Sequence, residues 1–277
     1  MELYKVLECK DGKLISPYQY YEYIPGKKMI CSDFDTNELK DCSRGYYATD
    51  IDGLIYTFRN LPDCEVWKVE VGGKKVEFNQ FKRRYEEITL IEEIPHEEVK
   101  RLALEWEPKV GYKLAEALFP VNPLLISMNG DVTASEIELV RQWDVILGLV
   151  WALIGVPVGD SIGDLVGTSV RETFGDLAWE AVGDSVWASV WDSVWTSVRF
   201  WVVGSVGFSV GSSIWNLGWA YISSLFPGIK KWKYLEHLPG ENPFQSAIDL
   251  WLAGLVPSYD GKVWRLHAGE NADVVWY

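Results

Sequence analysis

The chain predicts an α+β fold with a mainly helical four-residue tandem repeat at its centre, on three observations. Seventeen tetrads keep one phase without insertion from Gly159 to Phe226. The segment before them alternates apolar and polar residues as strands do, and the segment after them reads as one helix and a hairpin. The 277 residues therefore divide into a small α+β domain (1–95), a helical connector (96–158), the repeat (159–226) and a C-terminal cap (227–277).

Each tetrad position has its own chemistry. The fourth is apolar, as at Val166, Val186, Val190 and Val194; the third is most often Ser, as at Ser185 and Ser189. The second is polar or small, as at Asp164, Asp184 and Asp192, and the first is Gly, Trp or Arg apart from Val203 and Ser223. Gly, Trp and Arg differ in volume, charge and backbone freedom, so they make no evident physical class. Their codons interconvert by single first-base changes, which points to an expanded and drifted DNA repeat. Scattered, unrelated codons in the gene would overturn that hypothesis.

A period of four fits two folds. On an α-helix each tetrad advances about 400°, which puts positions one, three and four on one broad face and position two opposite. A β-solenoid is the alternative, with a turn every tetrad and Val suited to strands. Strict alternation would then bury Asp164, Asp184 and Asp192 beside the valines, which is costly without partners. Helix is the better reading. One unbroken helix would run about 100 Å at about 1.5 Å per residue, so breaks are expected near Gly183 and Gly204–Gly211.

In residues 1–95, strands are expected at Leu3–Glu8, Lys28–Ser32, Gly45–Thr49 and Tyr85–Ile94, with a helix over Ile51–Phe58. Glu65–Val71 and Lys74–Phe78 flank Gly72-Gly73 and read as a hairpin, because two glycines supply the positive φ of a tight turn. From His96 to Ala117 the pattern is helical, interrupted at Pro108 and Gly111. Thr133 and Glu136 have capping-box spacing at the start of a further helix that stops near Pro157. In the cap, Asn242-Pro243 starts a helix that Gly254 ends, Asp260-Gly261 is a turn, and Val263–His267 pairs with Asp273–Tyr277. Lys230-Lys231-Trp232-Lys233 is a local basic-aromatic rim.

The formal charge of −14 disfavours non-specific binding to nucleic acid. Seven of the fifteen Trp lie in the tetrads, so the excess follows from the repeat and is not read as a stacking platform. Cys9, Cys31, Cys42 and Cys64 include no C-x-x-C pair; buried free thiols are expected, with disulfides or a zinc site from distant strands as alternatives. The start MELYKVLECKDG has no signal-peptide pattern, and a cytoplasmic setting is expected. Phe200–Ile229 is uncharged and long enough to raise membrane contact as an alternative, though Ser and Gly dilute it.

Tyr4-Lys5-Val6, Cys42-Ser43-Arg44-Gly45-Tyr46-Tyr47-Ala48, the SVWDSV tetrads and the run from Tyr259 to His267 carry a resemblance over most of the chain. It resembles uncharacterised bacterial and bacteriophage proteins that join a small domain of unknown function, Ser-Val-Trp-Gly-Asp repeats and a short aromatic tail. That resemblance implies no activity. Tyr4-Lys5 on a first strand, GYYAT before a helix and the strand EVWKVEV also look distantly like an ADP-ribosyltransferase layout. Such a layout implies NAD in a cleft and a catalytic Glu, for which Glu86, Glu87 and Glu92 are the candidates. There is no P-loop, G-x-S-x-G, H-E-x-x-H or Rossmann fingerprint. His96, His237 and His267 are isolated, and His267 is expected to pair or pack within its hairpin.

The function expected is a non-enzymatic scaffold or interaction protein whose repeat displays the N-terminal domain, with a protein partner or self-association. No cofactor, metal or small-molecule ligand is identifiable from sequence. A membrane-associated repeat and an NAD-consuming enzyme are the alternatives.

Overall fold

The computed structural model describes residues 2–277 except 41–42, 58–60, 79–80, 129, 155–160, 201–206 and 239. Of residues 57, 154, 161, 192, 199–200 and 207–211 it describes the backbone alone. The chain mixes helix and strand and forms two compact units, Met1–Phe119 and Pro120–Tyr277. The boundary falls inside the expected 96–158 connector, so that stretch is shared between both units.

The first unit holds β1 (Leu3–Lys10), β2 (Lys13–Ile15), β3 (Glu22–Tyr23), β4 (Met29–Ile30), β5 (Tyr46–Ala48), α1 (Leu54–Thr57), β6 (Glu65–Glu77), β7 (Arg83–Ile94), α2 (His96–Val110) and α3 (Leu114–Leu118). The strands pair in the order β3-β2-β1-β6-β7-β4, with β5 also on β7, and every pairing is antiparallel. Leu3, Leu7, Val69, Ile88 and Leu90 form the core of one sheet face together with Tyr23, Tyr46 and Tyr85. Pro108 is tolerated inside α2, and Gly111 ends that helix at φ 81°, donating its N–H to the Glu107 carbonyl.

The diglycine hairpin is a correction. β6 runs straight through Gly72-Gly73, and the chain reverses later, where Phe78 N–H donates to the Lys82 carbonyl at 3.0 Å. Gly72 pairs with Glu87 and Lys75 with Tyr85, so Gly73 and Lys74 together face Glu86. This is a β-bulge with Gly73 at φ 70°. The same positive φ serves a turn or a bulge. Here β7 supplies a partner on both sides of the glycines, so the ladder continues past them.

The second unit holds α4 (Ala134–Ile154), α5 (Ser161–Phe174), α6 (Asp176–Val186), a π-helical turn (Trp187–Trp191), α7 (Asp192–Phe200), α8 (Gly207–Ser224), α9 (Gln245–Leu252), β8 (Val256–Tyr259), β9 (Trp264–Ala268) and β10 (Asp273–Trp276). The capping box forms as expected: Thr133 N–H donates to Glu136 Oε2 at 2.7 Å, and Glu136 N–H to Thr133 Oγ1 at 3.3 Å. The expected stop near Pro157 lies outside the described residues. The sequence does not predict β8, because Pro257 demotes the run VPSY as a strand. Pro257 sits in an edge strand of the sheet β10-β9-β8, where its missing N–H costs no ladder bond on the open side.

The described tetrads lie in helices. From Ile162 to Val198 every fourth-position side chain is buried except the half-buried Phe174, while second-position Asp164, Glu172, Asp176, Glu180 and Thr196 are exposed. Gly183 does not break the helix: it lies inside α6, and the break falls at Gly175, at φ 86°. The break expected at Gly204 lies outside the described residues, and Gly207 and Gly211 lie within α8. α8 is covered on several sides by α5, α7, α9 and β8, so its second positions Ser212, Asn216 and Ala220 are buried as well. Within the uncharged Phe200–Ile229 stretch, the side chains from Ser212 to Phe226 and that of Ile229 are buried or half-buried, and Pro227 is exposed. No helix among the described residues is long and apolar enough to cross a membrane.

First-position residues interlock, so Gly, Trp and Arg do form a physical set. A Cβ on Gly163 would lie 2.7 Å from the Trp219 indole nitrogen, and one on Gly167 would lie 2.9 Å from the Trp179 ring. Trp187 packs on Trp191, Trp215 and Trp219 at ring-centroid distances of 4.5, 4.4 and 4.8 Å. Arg171 lies over the Trp179 ring at 5.2 Å. Glycine supplies the recess, tryptophan fills it and arginine covers the ring.

Candidate functional site

In the first unit a cluster of polar side chains surrounds the segment from Ser43 to Tyr47. Arg84, on β7, is fully buried beside it. Its guanidinium donates to the carbonyls of Lys40 (2.9 Å), Asp35 (2.6 Å) and Asn37 (2.9 Å) and to the Tyr47 hydroxyl (3.1 Å). Its cationic face lies 4.8 Å from the Phe78 ring. Gly45 admits this arrangement, because a Cβ there would lie 2.6 Å from Arg84 Cγ. A buried cation thus holds a loop by main-chain oxygens in place of a carboxylate.

That loop forms one wall of an open depression of about 360 Å³, lined among the described residues by Tyr18, Gln19, Tyr21, Lys40, Ser43 and Arg44. Gln19 Nε2 donates to the Ser43 carbonyl at 2.6 Å, and the buried Gln19 side-chain oxygen has no partner among the described residues. Arg44 pairs with Asp33 at 3.0 Å. The Cys31 thiol donates to Asp33 at 3.4 Å; that bond, then the Arg44 charge, holds the Asp33 carboxyl below its ordinary value. Ser43 Oγ donates to Asp35 and lowers that carboxyl in the same way. Beneath the wall, Tyr21 packs edge-on to Tyr46 at 5.8 Å, and Tyr46 to Tyr23 at 5.9 Å.

A second polar cluster joins Asp50 and Asp52. Arg83 pairs with Asp50 at 3.0 Å, both side chains being 11% exposed. Burial pushes the Asp50 carboxyl up, but hydrogen bonds from Asp52 and Arg83 outweigh it and hold it below its ordinary value. Burial, then the hydrogen bond to Asp50, pushes Asp52 up to about 6. Of the two neighbouring carboxyls, Asp52 is therefore the one that keeps its proton to higher pH. Sequence pattern misses this pair: the helix expected over Ile51–Phe58 takes in Asp52, whereas α1 begins only at Leu54.

The catalytic candidates do not converge. Glu86 Oε2 accepts the Lys74 N–H at 2.9 Å and fills the bulge. Glu87 pairs with Lys28 at 2.6 Å. Glu92 is exposed, in register with Lys68 on β6. None of the three lines the depression. His96 Nε2 meets the Cys64 carbonyl at 2.7 Å, and His237 is exposed. His267 pairs as expected: Ser258 Oγ lies 2.8 Å from Nε2, and Nδ1 lies 2.9 Å from the Ala272 carbonyl. Its Nδ1–H donates to that carbonyl, and burial lowers its pKa. This serine–histidine pair has the spacing of a nucleophile and base, yet both residues are fully buried.

Cys9, Cys31 and Cys64 are free thiols, and Cys42 lies outside the described residues. Burial pushes the Cys64 thiol up to about 12, which makes it inert at neutral pH. Among the described residues no group of three or more His, Cys, Asp or Glu side chains is placed to hold a metal ion. The Lys230–Lys233 rim is tied down: Lys230 pairs with Glu241 at 3.0 Å, Lys233 with Glu172 at 2.6 Å, and Trp232 is buried. No protein-family model, curated protein or solved structure matches the chain.

Proposed function

We propose that the chain is a non-enzymatic interaction protein, in which the tetrad helices form a stiff carrier and the first unit recognises an acidic segment of a partner protein. The observation that carries this reading is the depression between Tyr18 and Arg44. It sets Lys40 and Arg44 beside tyrosines and a Gln19 oxygen that has no partner among the described residues, in a chain whose overall charge is −14. Lys40 and Arg44, which pair with Asp35 at 3.9 Å and Asp33 at 3.0 Å, would exchange those carboxylates for the partner's, the Gln19 oxygen would accept a hydrogen bond, and Tyr18 and Tyr21 would supply flat contact area. Interlocked Trp and Gly in the second unit support the carrier role, because close packing resists deformation.

Calorimetric titration of the whole protein with a hexaglutamate peptide tests the reading. Saturable binding that weakens with salt, and is lost in the double variant Lys40→Ala/Arg44→Ala, is the expected result. A flat titration at millimolar peptide overturns it.

A further inference from the structure

The two cations that line the depression are paired within the chain. Arg44 Nη1 donates to Asp33 Oδ2 at 3.0 Å, and the Lys40 amine lies 3.9 Å from Asp35 Oδ2. The two carboxylates differ in how firmly they are held. Asp35 is built into its loop: Oδ1 accepts the Asn37 N–H at 2.9 Å, Oδ2 accepts the Ser43 hydroxyl, and the side chain is 18% exposed. Asp33 is 58% exposed. Besides Arg44, its side chain accepts the Cys31 thiol at 3.4 Å, and a thiol is a weak donor.

Arg44 is also exposed, and its bond to Asp33 runs from one nitrogen to one oxygen. A carboxylate that meets a guanidinium side-on takes two parallel N–H bonds and is held more strongly. The loop that carries Asp35 and Lys40 is fastened by Arg84 through the carbonyls of Asp35, Asn37 and Lys40, and none of those bonds uses the Asp33 side chain. Asp33 is therefore the carboxylate that can be exchanged, and Asp35 the one that stays.

We propose that Asp33 is a built-in competitor at the depression, an internal carboxylate that an acidic partner must displace from Arg44. This inference rests on the acidic-partner reading. Asp33 acts in two ways: it takes up an Arg44 donor, and it sets a negative charge beside the place where the partner's carboxylate arrives. Removing its charge while keeping its shape therefore tightens binding. Damage to the fold would weaken binding, so the direction of the change separates competition from a structural role.

The test titrates hexaglutamate into the whole wild-type protein and its variants by calorimetry at neutral pH and low salt, where exposed charges are least screened. Asp33→Asn is expected to bind about two- to fivefold tighter than wild type, the range that an exposed ion pair covers. Asp33→Glu keeps the charge and should bind like wild type. Glu97→Gln makes the same change of net charge at an exposed position on α2 and should leave the affinity unchanged. Wild-type binding that Asp33→Asn leaves equal or weaker overturns this inference and leaves the acidic-partner reading standing. Equal tightening by Glu97→Gln overturns it too, because the effect would then be one of overall charge. Flat titrations of wild type and Asp33→Asn overturn both. Binding by Asp33→Asn alone overturns the reading for the wild-type chain and supports the competitor.

Discussion

Gly163 on α5 and Trp219 on α8 occupy the same space: a Cβ on the glycine would lie 2.7 Å from the indole nitrogen and 2.9 Å from Cε2. Trp219 has little room to yield, because it is stacked on Trp179 at 4.9 Å and meets Trp187 edge-on at 4.8 Å. Gly163→Ala is therefore expected to destabilise by about 1–3 kcal/mol, as overpacking does, despite the better helix propensity of Ala. A Cβ on Gly148, inside α4, would meet nothing within 4 Å. Gly148→Ala is expected to stabilise by up to about 1 kcal/mol. Chemical denaturation of the two variants should move in opposite directions; equal shifts would refute the interlocking.

Val190 is 2% exposed in the π-helical turn, and Glu180 is exposed on α6. Val190→Asp is expected to cost more than about 3 kcal/mol, because an unpaired carboxylate enters the core and packing is lost. Val190→Ala should cost about 1–3 kcal/mol. Glu180→Ala should stay within about 0.5 kcal/mol. Thermal melts separate these cases, and a wild-type melt for Val190→Asp would show the tetrad register to be wrong. Asp192 is the second-position residue next along the chain, but its side chain lies outside the described residues, so Glu180 supplies the contrast.

Glu86 holds the bulge through the Lys74 N–H, and that bond holds its carboxyl below the ordinary value. Glu86→Gln keeps an acceptor and should leave the Lys74 amide slow to exchange with deuterated solvent. Glu86→Ala removes it, and exchange at Lys74 should quicken several-fold. The contribution of the ionised group is present above the ordinary glutamate pKa and is lost as pH falls through the folded value. Rapid Lys74 exchange in the wild-type protein at neutral pH would remove this role from Glu86.

Asp52 behaves in the opposite sense. Its folded carboxyl titrates near 6, above the ordinary value of 3.8, so the folded chain binds this proton more tightly than the unfolded chain. The stabilisation is complete below the ordinary value and is lost as pH rises through about 6. Asp52→Asn imitates the protonated form. At pH 7.5 it should be more stable than wild type by about 1 kcal/mol, solvent screening at this half-buried position reducing the full linkage. At pH 4 the two should coincide. A gain of the same size at both pH values would show that protonation of Asp52 is not the cause.

Local chemistry was enough for much of the secondary structure. The Thr133–Glu136 capping box, the end of α2 at Gly111 and the burial of fourth-position valines all follow from neighbours within one or two helical turns. The candidate site was less legible. Nothing in the CSRGYYA run shows that Ser43 and Arg44 line a depression with Tyr18 and Gln19. Nothing near Arg84 shows that its partners are main-chain oxygens contributed from more than forty positions away.

The sequence by itself determined the α+β division, the phase of the tetrads and which tetrad position is apolar, because these depend on periodicities of two and four along one chain. Only the tertiary structure decided that Gly72-Gly73 is a bulge and that Gly163 is a recess for Trp219. It alone decided that Glu86 is a strand fastening and Arg84 a buried cation held by main-chain oxygens. A glycine's freedom is the same in a turn, a bulge or a helix contact. Which one it serves depends on what other segment packs against it, and that is fixed by burial between residues far apart in the chain.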